Sequence, residues 1–344
     1  MAADKERELR VLGQEVGPSD ELQRIFDKLT KRVQDLVHKA VQQHNKEMGS
    51  DKRRQLRVSR LVTAGSLKRR TSTGDSDNDL VIFFSDNDAT WLPPDGNEML
   101  WEMLLRHINH QEDWVVVKSF KHAIVMEVDG LPVDLVLARD FTSGDTSGGN
   151  VPEKQAKLAM QFLVEEVQIG DRYNYSTAFT ELANQYVAKL QPWVNGLVRA
   201  AKHCVLNSGV SVVTDDGEEL RMADKAQRKE KGITSYLVEC LAIYAAQAQQ
   251  QQQQQRDPNA AGSITDALRW MLEAVSNPAS LKARLYVTLW PAPFRELYDE
   301  SEKFRVLAKE AHRERPLALH CAFEGLCCMC SGALQCKVRV CVGS

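Results

Sequence analysis

The sequence predicts an α+β fold with two lobes, and three observations carry that prediction. A chain of 344 residues with 43% hydrophobic content is long enough to bury more than one core. One long amphipathic helix is followed by several short β-rich runs, without the regular strand-helix alternation of a dinucleotide-binding fold. Beyond about residue 150 the periodicity turns helical. The expected organisation is therefore an N-terminal lobe over 1–150 built on a mixed sheet with flanking helices, a helical lobe over 151–315, and a Cys-rich tail over 316–344.

Pro18, Ser19 and Asp20 form a helix start signal, and Leu22, Ile25, Phe26, Leu29, Val33, Leu36, Val37 and Val41 recur at helical spacing behind it, which predicts a helix over 19–45. Residues 55–63 and 77–84 read as strands on either side of Gly65-Ser66. A Pro-rich loop over 91–96 precedes a helix over 98–109. Three β-rich runs follow at 114–119, 123–128 and 131–138, the last two joined by Asp129-Gly130, a hairpin signal because glycine accepts positive φ. After the polar loop 142–150, helices are expected at 176–190, 192–206, 233–249, 263–275 and 293–313. The glutamine run 249–255 reads as a variable inter-helix loop.

A net charge of −3 gives no global attraction to a polyanion. The clusters Lys52-Arg53-Arg54 and Lys68-Arg69-Arg70 are local basic patches that a solvated loop also explains. The opening MAADKERELRV has no apolar h-region, and no run approaches the roughly 18 apolar residues of a membrane span, so a cytoplasmic protein is expected. Eight cysteines, six of them between Cys321 and Cys341, then read as free thiols.

Residues i and i+2 of a strand share a face, so Asp77 and Asp79 point the same way at the head of the apolar run Leu80 to Phe83. Two adjacent carboxylates repel and call for a counter-cation, a divalent metal being the usual answer for oxygen ligands. A solvent-exposed strand start explains the same pair. Asp134 lies inside the apolar run Val133, Leu135, Val136 and Leu137, where a charge is costly unless paired or ligating. If the two strands are neighbours, Asp77, Asp79 and Asp134 form a cluster able to hold two Mg²⁺ ions for in-line phosphoryl transfer. Gly65 allows close backbone approach to a polyphosphate, the Ser66 hydroxyl can cradle its oxygens, and Lys68, Arg69 and Arg70 add cations.

With these residues in hand, the sequence resembles the polymerase-β superfamily of nucleotidyltransferases, and within it the 2′-5′-oligoadenylate synthetases, as an invertebrate-like divergent member. The resemblance is carried by Gly65-Ser66, SDNDLVIFF (76–84), VDLVLARDF (133–141), FTEL (179–182), LVRAAKH (197–203) and YLVECLAIYA (236–245). It implies a two-lobed enzyme with ATP in the cleft and Asp77, Asp79 and Asp134 as the catalytic, metal-binding triad. It also implies Ser66 and Lys202 on the phosphates and Tyr236 on the donor base. The implied reaction is template-independent, Mg²⁺-dependent synthesis of 2′-5′-linked oligoadenylates, in innate antiviral-type signalling. From the residues alone, Lys202 beside His203 also reads as a solvated surface lysine, and Tyr236 as a core aromatic with Ile243 and Tyr244. A cyclic-dinucleotide synthase of the same fold and a catalytically silent nucleic-acid-binding pseudoenzyme are the alternatives.

Double-stranded RNA is the activating partner that the resemblance implies. The positions that would form its basic face are Leu190, Trp193 and Asn195, which supply no phosphate-neutralising charge. This predicts either constitutive activity or RNA contact through Lys52, Arg53, Arg54 and Lys189. The turn Leu67 to Thr71 lacks the family's interspersed glycines, and the stretch to Asp77 is one residue shorter. In the tail, Cys327-x-x-Cys330, with His320, Cys328 and Cys336 nearby, is a candidate zinc pair; a packed or disordered thiol-rich tail is the expectation.

Overall fold

In a computed structural model, the structure describes residues 2–49, 55–73, 77–85, 98–119, 123–142, 149–165, 175–206, 211–213, 219–221, 224, 227, 235–256, 262–276 and 338–339. The chain divides into two compact units, one comprising 18–69 and 75–188, the other 1–17, 70–74 and 189–344. Residues 151–188 thus belong with the N-terminal sheet, and the first seventeen residues belong with the C-terminal helices.

The first unit is built on a five-stranded mixed sheet of β1 (Arg57–Thr63), β2 (Asn78–Ser85), β3 (Trp114–Ser119), β4 (Ala123–Val128) and β5 (Leu131–Arg139), in the order β1-β2-β5-β4-β3. Only β2 and β5 run parallel; the other neighbours are antiparallel. The β4-β5 hairpin turns as the sequence predicts, with φ of 54° at Asp129 and 76° at Gly130, the doubly positive pair of a tight hairpin.

Two helices, α2 (Asp20–Met48) and α4 (Glu98–Ile108), supply the main core with one face of the sheet. Leu29, Val33, Leu36, Val37 and Val41 of α2 bury against Leu80, Ile82 and Phe84 of β2 and Val133 and Leu135 of β5. Ser19 caps α2 by accepting a hydrogen bond from the Leu22 amide at 3.1 Å, with Asp20 and Glu21 in the first turn where the helix dipole favours anions. At the far end, the Asn45 side chain bonds both backbone groups of Leu56, at 2.7 and 2.8 Å, and so fixes where the chain turns into β1. The opposite face of the sheet carries a smaller core of Ala64, Val81, Phe83 and Ala138. A one-turn helix α3 (Gly65–Lys68) follows β1. The unit closes with α5 (Val151–Glu165), a 3₁₀ turn (Tyr175–Phe179) and α6 (Thr180–Ala188).

The second unit is mainly helical: α1 (Ala2–Glu15), α7 (Pro192–Leu206), α8 (Ser235–Arg256) and α9 (Ile264–Ser276). It is not wholly so, because β6 (Ser211–Val213), β7 (Glu219–Arg221) and β8 (Val338–Arg339) form a small sheet in the order β7-β6-β8. α1 crosses α7 where two glycines meet: a Cβ on Gly13 would stand 3.0 Å from the Gly196 Cα. Glu6 of α1 reaches across to cap α9, accepting from the amides of Ile264 and Thr265 at 3.0 and 2.9 Å and from the Ser263 and Thr265 hydroxyls.

Several expectations need correction. The glutamine run is not a loop: α8 continues through it to Arg256, since glutamine is a good helix former and no breaker precedes Pro258. The helix expected over 176–190 opens as a 3₁₀ turn and becomes α-helical only at Thr180. The helix expected over 293–313 and the proposed tail thiols, Cys327 to Cys336, lie outside the described residues.

Candidate functional site

The sheet register brings the predicted carboxylates into relation. In the parallel pairing of β2 with β5, Asp79 is the direct partner of Asp134. Residues opposite one another on neighbouring strands share a face, roughly 5 Å apart. That face is the one carrying Val81 and Phe83, away from the main core, because Leu80, Ile82 and Phe84 occupy the alternate positions. Both aspartates are half-buried.

Gly65 closes against Asp79. It has φ of +64°, and a Cβ built on it would fall 2.6 Å from the Asp79 Cγ. The neighbouring Ala64 amide donates to the Asp79 carbonyl at 2.7 Å. The Gly65-Ser66 turn is therefore held against the acidic strand by backbone contact that no other residue type at 65 would permit. The Leu67 side chain is buried beneath the turn, while Ser66 is half-buried.

Asp77 lies one residue before β2. The ladder that fixes Asp79 and Asp134 does not extend to it, and among the described residues no group of three His, Cys, Asp or Glu side chains stands close enough to hold a metal ion. The structure delivers a two-carboxylate pair rather than a finished three-carboxylate cage. Its hard oxygen donors are of the type that suits a divalent cation such as Mg²⁺.

Between the two aspartates, Asn78 projects to the core side, fully buried, and its amide donates to Thr30 of α2 at 3.4 Å. This anchors the head of the acidic strand to the long helix. The alternation of the strand marks position 78 as inward; an Asn there is the signal sequence reading passed over.

Along the same face, Arg60 of β1 is held by two carboxylates. Its guanidinium donates to Glu181 at 2.7 to 3.0 Å, meets Asp140 Oδ2 at 3.0 Å, and lies 4.1 Å from the centre of the Phe83 ring. Burial works against the Asp140 charge. The Thr142 hydroxyl and amide, Ser59 and Arg60 outweigh it, so its carboxyl lies below the usual range. Burial likewise opposes the Arg60 charge, but Glu181 and then Asp140 hold its pKa above the ordinary value. Two of the stretches that carried the resemblance, FTEL and VDLVLARDF, thus supply the partners of one arginine.

Lys202 and Tyr236 belong to the second unit. Lys202 is not a solvated surface lysine: only 2% of it is exposed, and its Nζ donates to Glu239 Oε2 at 2.7 Å and to the Thr71 carbonyl at 3.0 Å. One turn earlier, Arg199 donates to the Arg70 carbonyl at 2.6 Å and to the Gly13 carbonyl, with burial pushing its pKa down. Tyr236 is half-buried at the start of α8, whereas Ile243 is fully buried and Tyr244 meets Trp270 edge-to-face at 5.2 Å. At the positions considered for an RNA face, Leu190 and Asn195 are half-buried, and the Trp193 ring packs on Gly262 with its Nε1 donating to Gln191 at 2.7 Å. No helix among the described residues is long and apolar enough to cross a membrane.

No family model matches the chain, and no curated protein sequence matches it. Similar solved structures include a non-canonical poly(A) polymerase complex, GLD-2 with GLD-3, at 13% identity and a TM-score of 0.45, covering 92% of this chain and 97% of that one. A cytoplasmic RNA terminal U-transferase is similar at 10% identity and 0.44, covering 80% and 72%. The CdnC:HORMA-deltaN complex of E. coli MS115-1 is similar at 16% identity and 0.40, covering 79% and 70%. At these identities and scores the likenesses carry no argument, and the function is read from the chain's own residues.

Proposed function

We infer that the chain is a template-independent nucleotidyltransferase that joins adenylates from ATP through 2′-5′ linkages and releases pyrophosphate, in innate antiviral-type signalling. The observation that supports this reading most is the register of Asp79 beside Asp134, with Gly65 closed against Asp79.

Asp79 and Asp134 are the residues that would hold Mg²⁺, with Asp77 assigned to the same site on the resemblance alone; when bound, the ion would neutralise phosphate charge and lower the pKa of a ligated hydroxyl. The Gly65-Ser66 turn offers its backbone amides and the Ser66 hydroxyl to the phosphate oxygens. Asp134, the carboxylate that Gly65 does not cover, takes the proton of the acceptor ribose 2′-hydroxyl. The hydroxyl oxygen forms a bond to the α-phosphorus of ATP as the bond to pyrophosphate breaks. Tyr236 is assigned to the donor base on the resemblance.

The test is product analysis by chromatography and mass spectrometry after incubating the purified chain with ATP and Mg²⁺, with and without double-stranded RNA, using Asp134→Asn as the blank. Oligoadenylates resistant to a 3′-5′-specific nuclease are expected. A cyclic dinucleotide would replace this reading with another reaction of the same site, and no nucleotide turnover under any condition would leave a pseudoenzyme.

A further inference from the structure

Within the first unit, the α6 side chains Glu181 and Asn184 both reach β1. Glu181 takes the Arg60 guanidinium at 2.7 to 3.0 Å, and one helical turn later Asn184 donates from Nδ2 to the Thr63 carbonyl at 3.1 Å. Thr63 ends β1, and its carbonyl shares a peptide unit with the Ala64 N–H. In a trans peptide these two groups point in opposite directions, and the Ala64 N–H donates to the Asp79 carbonyl at 2.7 Å. The peptide that enters the Gly65-Ser66 turn is therefore held from both sides, by Asn184 at the outer edge of β1 and by the Asp79 backbone on the inner one.

Two features separate this bond from ordinary packing. The other buried residues of α6, Leu182, Ala183 and Val187, are all apolar. Asn184 is only 9% exposed, and its Oδ1 is buried and receives no hydrogen bond among the described residues. A buried acceptor without a donor costs as much as one hydrogen bond contributes, or more. An amide at 184 is thus a poor choice for stability, and what it accomplishes is the donation from Nδ2.

We propose that Asn184 is a positioning residue: it fixes the Thr63-Ala64 peptide and, through it, the place of the Gly65-Ser66 turn against Asp79. Its hold on the peptide rests on these contacts alone, whereas the catalytic consequence rests on the nucleotidyltransferase reading. Without the anchor the turn is free to back away from Asp79, carrying the Ser66 hydroxyl and the turn amides off the phosphate oxygens assigned to them.

The experiment uses the full chain and three variants. Asn184→Leu keeps the volume and removes both the donor and the orphaned acceptor. Asn184→Ala removes them without requiring new atoms to fit. Gln185→Ala, at the next position of α6, breaks the pairing with Asn150 and controls for loosening of the helix. Hydrogen exchange without nucleotide is expected to show the amides of 64–66 losing protection by about tenfold or more in both Asn184 variants, while β4 and β5 keep theirs. The unfolding temperature of Asn184→Leu is expected to stay within about 4 °C of the parent, because loss of the bond is offset by removal of the orphaned acceptor. With ATP and Mg²⁺, both Asn184 variants are expected to lower kcat by roughly 10- to 100-fold with little change in KM, as misplacement of a reacting group does. Gln185→Ala is expected to match the parent.

Unchanged protection at 64–66 in the folded Asn184 variants overturns the proposal. So does a parental kcat in variants that have lost that protection, which would leave Asn184 merely structural. An equal loss of kcat in Gln185→Ala overturns it too, since any weakening of α6 would then suffice. If the unaltered protein turns over no nucleotide, the proposed function fails by itself, and exchange at 64–66 still decides whether Asn184 fixes the turn.

Discussion

Gly65 lies against Asp79 so closely that a methyl group on it would stand 2.6 Å from the carboxylate carbon. Turn and acidic strand are a single fitted contact, and that contact sets the first prediction. Gly65→Ala must either displace the Asp79 side chain or open the turn, and it also places a Cβ at φ of +64°. The expected cost in stability is about 1–2 kcal/mol, with loss of nucleotide turnover by roughly 100-fold or more. Thermal unfolding measured beside turnover checks it: a variant as active as the parent would refute a functional role for the contact.

Removal of a carboxylate charge gives a sharper result than removal of bulk. Asp134→Asn keeps the size of the side chain and is expected to abolish turnover and weaken Mn²⁺ binding by about tenfold or more, while leaving the unfolding temperature unchanged or raised, because like-charge repulsion with Asp79 is relieved. Isothermal titration with Mn²⁺ reads the first effect and calorimetry the second. Equal Mn²⁺ affinity in parent and variant would count against the pair as a cation site.

The Arg60 cluster predicts an acid dependence. Asp140 has its folded-state pKa lowered from 3.8, so it contributes stability that is fully present above that unfolded value and is lost as pH falls through the folded value. The parent is expected to lose stability below about pH 4 more steeply than Asp140→Asn. Denaturant melts at pH 7 and pH 3 measure the difference. Arg60→Met leaves Glu181 and Asp140 without their shared partner and is expected to cost about 2–3 kcal/mol at neutral pH.

Glu6 offers an independent check on the second unit. Burial opposes its charge, but the backbone amides of Thr265 and Ile264 and the Thr265 and Ser263 hydroxyls hold its pKa below 4.5. Glu6→Ala removes the cap of α9 from another helix and is expected to cost about 1–2 kcal/mol. That contribution is fully present above 4.5 and is lost as pH falls through the lower folded-state value, where the parent carboxylate becomes protonated too. A chemical denaturation series at two pH values decides it.

What the sequence made legible was local. The apolar stripe of α2, the Asp129-Gly130 turn, the strands at 114–119 and 123–128, and α7 from Pro192 to Leu206 all follow from periodicity and turn chemistry within a few residues. α1 and α5 were not foreseen. The sequence reading assigned nothing to residues 2–15, whose helix is secured by contacts with partners far along the chain: Gly13 on Gly196, and Glu6 on residues 263–265. At the candidate site, Asp77, Asp79 and Asp134 were grouped as a cluster, from an Asp-x-Asp heading one apolar strand and a charge inside another; the parallel register sets Asp79 and Asp134 side by side and does not extend to Asp77. The burial of Lys202 was not legible from its neighbours because burial of a cation depends on a counter-charge, here 37 positions away, that no local pattern displays. Arg60 escaped notice for the same reason, its two carboxylates lying on other elements of the unit.

The continuation of α8 through residues 249–255 changes what a length variation there would mean. In a loop, one glutamine more or fewer is slack. In a helix it is a screw step: each added residue advances the downstream chain by about 1.5 Å and turns it by about 100°. Insertions of one or two glutamines would swing the departure toward α9 around the helix axis, whereas seven, close to two full turns, would nearly restore its heading. Tolerance to repeat length at this position should therefore be periodic, rising and falling with the pitch of the helix.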